Sequence, residues 1–266
     1  LEIAERGRSR AFVDLLATRL AEKRQTRSVA PVALTQVGLT APSSGQIQEI
    51  ARQQKATLVA YTILYDPVRF QGRPASQESQ LLIWVVQPGG KIEFRQVDLG
   101  ELRRQQRSLA DLVSVGRSEL GVRGRGLGLV ARVDRPQNRL DPGLRQLHQL
   151  LIQPIADLLP SDPTAQVIFI PQGPLFLVPF QALPDAAGQY LIQRHTLSIA
   201  PSIQVLELTR RLRLANRAGG FNQASALVVG NPTMPRIAVA AGQPPEQLTS
   251  LPGAEQEAKM IGSLLG

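Results

Sequence analysis

Cysteine is absent from the 266 residues, and His148 and His195 are the only histidines. Within these residues there can be no disulfide, no thiolate metal site and no cysteine nucleophile, and two imidazoles cannot build a histidine-rich metal site. Aromatic residues make up only 4%, so a core must come mainly from Leu, Val, Ile and Ala. No run approaches 18 uninterrupted apolar residues, and no leader of a charged, then apolar, then small-residue pattern opens the chain. Neither a membrane span nor a signal peptide is expected, which favours the cytoplasm. No cofactor and no metal are expected either.

The residues that are present suit a globular fold, with hydrophobic content of 43% and enough length for one large or two modest domains. The net charge of +9, from 30 basic and 21 acidic residues, is concentrated in one place. Between Arg103 and Arg139 there are nine arginines against Asp111, Glu119 and Asp134, a local net of +6. Such a segment can neutralise nucleic-acid phosphates, yet no aromatics interleave with it to stack bases. A solvated surface, or a face for an acidic protein partner, is the stronger reading, and nucleic acid the weaker one. The "GVRGRGLG" stretch there has the glycines of a phosphate cradle but no following Lys-Ser or Lys-Thr, so it reads as a basic linker.

Residues 1–25 place Ala4, Ala11, Leu15 and Leu16 near a 3.6-residue repeat, which predicts an amphipathic helix whose alternating charges form a solvated face. Its small residues would allow a neighbouring helix to pack closely. A linker to about Gly45 and one short helix, "QIQEIARQQ", follow. "ATLVAYTILY" predicts a strand, "DPVRFQGRPASQESQ" a loop, and "LLIWVVQPGGKIEFRQVDL" a hairpin. After a helix ending near Gly121, Leu140, Leu144, Leu147, Leu151, Ile155 and Leu158 share a helical face that Pro154 should kink or divide.

"AQVIFIP" is a continuous β-branched run, as expected of a strand buried on both faces. "GPLFLVPFQALP" reads as a short β-excursion shaped by Pro174, Pro179 and Pro184, and "YLIQRHTLSIAP" as a further strand. "SIQVLELTRRLRLA" predicts a helix, "SALVVGNP" a second buried strand, and "LPGAEQEAKMIGSLLG" a last helix carrying a Glu255–Lys259 pair. The expected class is α/β: a mostly parallel sheet flanked by helices, incomplete, preceded by an N-terminal helix and a small β-containing region. Both ends read as cuts through a longer protein. Ligands of open α/β sheets bind beyond the carboxyl ends of strands, which makes Gln172 and Asn231 candidate pocket-wall residues. His195, in an alternating strand with no G-x-S-x-G elbow to serve, reads as structural, as does His148.

Four blocks in order, "VIFIPQGPLFLVPFQAL", "YLIQRHTLSIAPSIQVL", "LVVGNP" and "LPGAEQEAKMIGSLLG", strongly resemble the first half of a CHAT domain. This is the caspase-like domain, related to separases, that accompanies tetratricopeptide repeats in bacteria. The resemblance divides the chain into residues 1–27, the last helix of a repeat array; residues 28–139, a linker and β-hairpin lead-in; and residues 140–266, the N-terminal half of the domain. It implies a cysteine endopeptidase fold with a His–Cys dyad, the His in a block like H-x-A-T-H-G and the Cys in one like L-S-A-C. Neither block occurs here, and His195 does not match the catalytic position, so no catalytic residue is expected in this chain. The implied parent is a regulated protease whose repeats recruit a protein substrate or regulator, and the implied partner is the remaining half of the domain. The alternative is a non-catalytic scaffold or signalling adaptor that binds protein through the same fold.

Overall fold

The computed structural model describes residues 1–8, 41–70, 73–121, 142–218, 228–237 and 244–265. It forms two units, Leu1–Arg211 and Leu212–Gly266. In the first, β-branched and aromatic residues build β1 (Ala56–Phe70), β2 (Arg73–Val86) and β3 (Ile92–Asp98). β4 (Gln166–Ile170) and β5 (Thr196–Ile199) complete a five-stranded sheet of order β3-β2-β1-β4-β5. β1, β2 and β3 are antiparallel neighbours, whereas β4 runs parallel to β1, from Ala56 opposite Gln166 to Ala60 opposite Ile170, and β5 runs parallel to β4. One sheet therefore joins the hairpin region to the strand expected from "AQVIFIP".

Side-chain alternation sorts the core into two layers. Val59, Tyr61, Leu81, Ile83, Val167 and Phe169 face one way, where α4 (Leu109–Glu119) and α5 (Pro142–Leu151) cover them. Leu58, Ala60, Ile168 and Ile170 face the other way, against α2 (Ser44–Gln54) and Ile203 at the start of α6 (Ile203–Ala218). β4 is buried on both faces, as its unbroken apolar run requires. Two capping boxes start these helices: Ser43 with Gln46 for α2, and Ser108 with Asp111 for α4. Pro154 does divide the predicted long helix, since α5 stops at Leu151 and a 3₁₀ segment runs from Gln153 to Leu158.

Five expectations are corrected. The helix expected to end near Gly121 is two, α3 (Gly100–Arg104) and α4, since Gln106 takes a φ of +53° and Ser108 caps a new start. Residues 66–70 and 73–80 are not a loop but the far halves of β1 and β2, which continue past a bulge at Leu64/Tyr65. The excursion after β4 is not β-structure. It is two 3₁₀ segments, Gly173–Leu177 and Phe180–Ala182, with a single bridge between Pro184 and Tyr190. Each proline removes an N–H that a ladder would need, while its fixed φ suits the first turn of a helix. Leu175, Val178, Phe180 and Leu183 point inward at nearly three-residue spacing, the period of a 3₁₀ helix. In "YLIQRHTLSIAP" only Thr196–Ile199 is a strand, because Leu191–Gln193 forms another 3₁₀ turn. Of "SALVVGNP", residues 225–227 lie outside the described residues, and Val228 to Gly230 are not strand.

The second unit contains α7 (Pro252–Leu265) and a two-residue antiparallel ladder of β6 (Arg236–Ile237) with β7 (Glu246–Gln247). A Cβ on Gly230 would lie 2.1 Å from the Ala254 carbonyl oxygen, so only glycine fits there.

Tyr61 shows how the first unit is tied together: its hydroxyl is fully buried, and it donates to the Leu151 carbonyl at 2.9 Å, at the end of α5. Tyr61→Phe would leave that carbonyl without this donor, a loss of about 1–2 kcal/mol. The expected result is a thermal midpoint roughly 2–8 °C lower by near-ultraviolet circular dichroism. An unchanged midpoint would show that the bond contributes nothing net.

Candidate functional site

In an α/β sheet the carboxyl ends of the parallel strands open onto the ligand crevice. Here β1 and β4 stop pairing at Ala60 and Ile170, and the exit from β4 is Pro171, Gln172 and then Gly173 at a φ of +54°, a left-handed turn that glycine takes without a Cβ penalty. The edge is filled from the N-terminal segment, in which α1 (Glu2–Arg6) leads to Arg8. The Arg8 guanidinium donates to the Ile170 carbonyl at 3.0 Å, to the Tyr61 carbonyl and to the Thr62 hydroxyl at 2.8 Å. It thus satisfies backbone acceptors at the ends of both β1 and β4.

Glu5 completes the arrangement. Its Oε2 accepts the Ile203 N–H at 2.9 Å, in the first turn of α6, and its Oε1 lies 3.4 Å from Arg8 Nε. A carboxylate suits a helix N-terminus, where backbone donors are unsatisfied. Glu5 is 1% exposed and Arg8 is 8% exposed. Burial raises the Glu5 carboxyl above its ordinary range, although Arg8 and the Ile203 and Gln204 amides oppose the rise. The alternating charges of this segment are therefore not a solvated face throughout, because Glu5 and Arg8 point into the protein. Residues 9–25 of the expected helix lie outside the described residues.

Gln172 sits at this edge, where its Oε1 accepts the Ile63 N–H at 2.8 Å and ties the exit of β4 back to β1. Asn231 belongs to the second unit. With φ at +50°, it accepts the Leu251 N–H at 2.5 Å and donates to Glu255 at 3.0 Å, anchoring the start of α7. The expected Glu255–Lys259 pair is formed at 2.7 Å. Both candidates thus hold strand exits or helix starts through their amide groups.

Chemically, the carboxyl edge holds a paired ion couple and, among the described residues, no activated nucleophile. Ser202 is fully buried, and its hydroxyl accepts the Val205 N–H at 3.1 Å as a helix cap. His195 precedes β5, at the opposite, amino end of the parallel strands. No group of three metal-binding side chains occurs among the described residues. Of the basic segment, Arg103 is described and pairs with Asp66 at 3.5 Å in an exposed position, while Arg123 to Arg139 and the "GVRGRGLG" glycines after Gly121 lie outside the described residues. No helix among the described residues is long and apolar enough to cross a membrane.

Comparison with known proteins gives a consistent answer. The model of the CHAT domain family matches residues 141–266. Tetratricopeptide repeat protein 28 of Homo sapiens is 32% identical over 133 residues, 47% of this chain and 5% of that protein. Tetratricopeptide repeat protein 28 of Mus musculus is 33% identical over 141 residues, 50% of this chain and 6% of that protein. The chain thus spans only about a twentieth of the length of these relatives. Both are mammalian, so the bacterial setting implied by the resemblance is not carried forward. No solved structure matches.

Proposed function

Proceeding from the CHAT-domain match of residues 141–266, we propose that this chain is the scaffold part of a caspase-like peptidase domain. It supplies the first strands of the sheet and a connection to the segment before it, while the His–Cys dyad lies in residues outside this chain. One observation carries the reading: the buried Glu5–Arg8 couple joins the N-terminal segment to the carboxyl ends of β1 and β4 and to the start of α6. In that arrangement a protein partner bound to upstream repeats pulls on the edge where the peptidase site is assembled. The names of the relatives support the repeat context.

The reading requires that these 266 residues, which lack cysteine, cleave nothing alone. Incubated with fluorescent casein and a panel of quenched peptides, the chain is expected to show no turnover above buffer, and reproducible turnover would overturn the assignment. In the full-length protein, cleavage that disappears when the dyad cysteine is changed to Ala supports the peptidase reading. A full-length protein with no cleavage would instead favour a non-catalytic scaffold that binds protein.

A further inference from the structure

The chain's two histidines, far apart in its sequence, meet in one place. His148 on α5 and His195 before β5 line the same cavity of about 590 Å³, together with Arg145, Gln149, Asp185 and Arg194. The cavity lies at the amino ends of β4 and β5, away from the carboxyl edge described above. Its volume is in the range of small-molecule sites, roughly 300–1,000 Å³.

The polar groups here are incompletely matched within the protein. Asp185 is spoken for: it lies 3.1 Å from Arg194 and accepts the Gln189 N–H at 2.9 Å. Burial alone would raise its carboxyl, but the Gln189 and Ala187 amides and Arg194 hold it below its ordinary value, so it stays ionised. Arg145 has no such carboxylate among the described residues. One of its terminal nitrogens reaches the Ala186 carbonyl at 3.4 Å, and its Nε is buried without a partner among the described residues. His195 is only 9% exposed, and its Nδ1 is likewise buried with no partner among the described residues. Buried polar atoms without a partner are rare in folded proteins, and two on one cavity wall point to a polar ligand. Burial lowers both imidazoles from their ordinary value, so both are neutral near pH 7. With the Asp185–Arg194 pair neutral overall, Arg145 gives the described lining of the cavity a net positive charge of one.

We propose that this cavity binds a small carboxylate- or phosphate-bearing molecule, whose oxyanion takes the Arg145 Nε–H and the His195 Nδ1–H. Guanidinium groups are the side chains best suited to such planar, multi-point recognition of oxyanions. Neutral His195 contributes a hydrogen bond without competing charge, and its tautomer is set by the ligand. This site is independent of the peptidase reading, because it uses none of the carboxyl-edge residues.

With only two histidines, the imidazole proton resonances of the whole 266-residue chain can be assigned with a single His148→Gln variant. The chain is titrated separately with inorganic phosphate and with succinate at constant ionic strength. At least one of them is expected to shift the His195 signal saturably, with a dissociation constant on the order of 1 mM. Arg145→Gln should weaken that binding by about tenfold or more with an unchanged circular dichroism spectrum. Arg145→Lys, which keeps the charge but loses the Nε–H, should weaken it several-fold. Saturation by phosphate but not succinate, or the reverse, identifies the headgroup class. Linear drift with both anions up to roughly 50 times the expected constant overturns the site, as does binding by a folded Arg145 variant that equals the parent's.

Discussion

Arg8→Ala is expected to lower the unfolding free energy of the first unit by about 3–5 kcal/mol, as breaking a buried ion pair from one side does. The substitution leaves the Tyr61 and Ile170 carbonyls without their guanidinium donor and Glu5 as an uncompensated buried charge. Trp84, the chain's single tryptophan, lies on β2 against Phe94 and reports unfolding of this sheet by fluorescence. The urea midpoint should fall by about 1–5 M, given slopes of roughly 1–3 kcal/mol per molar. A shift under about 0.3 M would mean that the N-terminal segment does not hold the sheet in solution.

Glu5→Gln separates charge from hydrogen bonding, because the amide oxygen can still accept the Ile203 N–H. The Glu5 carboxyl is raised above its ordinary 4.5 by burial, against the opposing pull of Arg8 and of the α6 amides. The folded state therefore binds this proton more tightly than the unfolded chain does. The resulting stabilisation is complete below pH 4.5 and is lost as pH rises through the higher folded value. Glutamine has no such term. The stability advantage of the parent over Glu5→Gln should accordingly shrink as pH rises from 4.5 through the higher folded value, and an advantage that grows with pH would contradict the burial of this carboxyl.

The second large effect lies in the core. Phe169→Ala is expected to cost about 3–5 kcal/mol. Phe169 is fully buried on β4 and stacks on Phe180 at 4.3 Å, with Tyr61 at 6.3 Å, in a chain with few other aromatics to fill the space. The thermal midpoint should fall by roughly 6–20 °C. Phe176, in the connection that follows β4 and 43% exposed, provides the control, and its alanine variant should cost much less than Phe169→Ala, about 1 kcal/mol or less. Equal shifts for the two variants would show that the connection after β4 does not pack as described.

Much of the secondary structure is legible locally. Pro154 ends a helix, and the β-branched run from Gln166 to Ile170 is an interior strand buried on both faces. Between Pro171 and Pro184 hydrophobic, β-prone residues predict β-structure, but four prolines cannot donate to a ladder, and the chain folds into 3₁₀ turns that still bury Leu175 and Phe180. Gln172 and Asn231 are candidates because each follows an expected strand, yet no strand is found at Val228–Gly230 before Asn231, and the bonds the two residues make, to Ile63 and to Leu251 and Glu255, cannot be read from their positions.

By itself, the sequence determined the α/β class, the four ordered blocks of the CHAT resemblance and the absence of any cysteine nucleophile in these residues. Those properties depend on residue types, periodicity and neighbours a few positions apart. Only the tertiary structure decided that Glu5 and Arg8 are clamp residues and that His148 and His195 share a cavity. Arg8 and Ile170 are 162 positions apart, and Glu5 and Ile203 are 198 apart. Local propensity treats an Arg or a His in an amphipathic segment alike whether it meets water or a strand end. What distinguishes the two outcomes is the backbone carbonyl or cavity wall that the folded sheet brings to it.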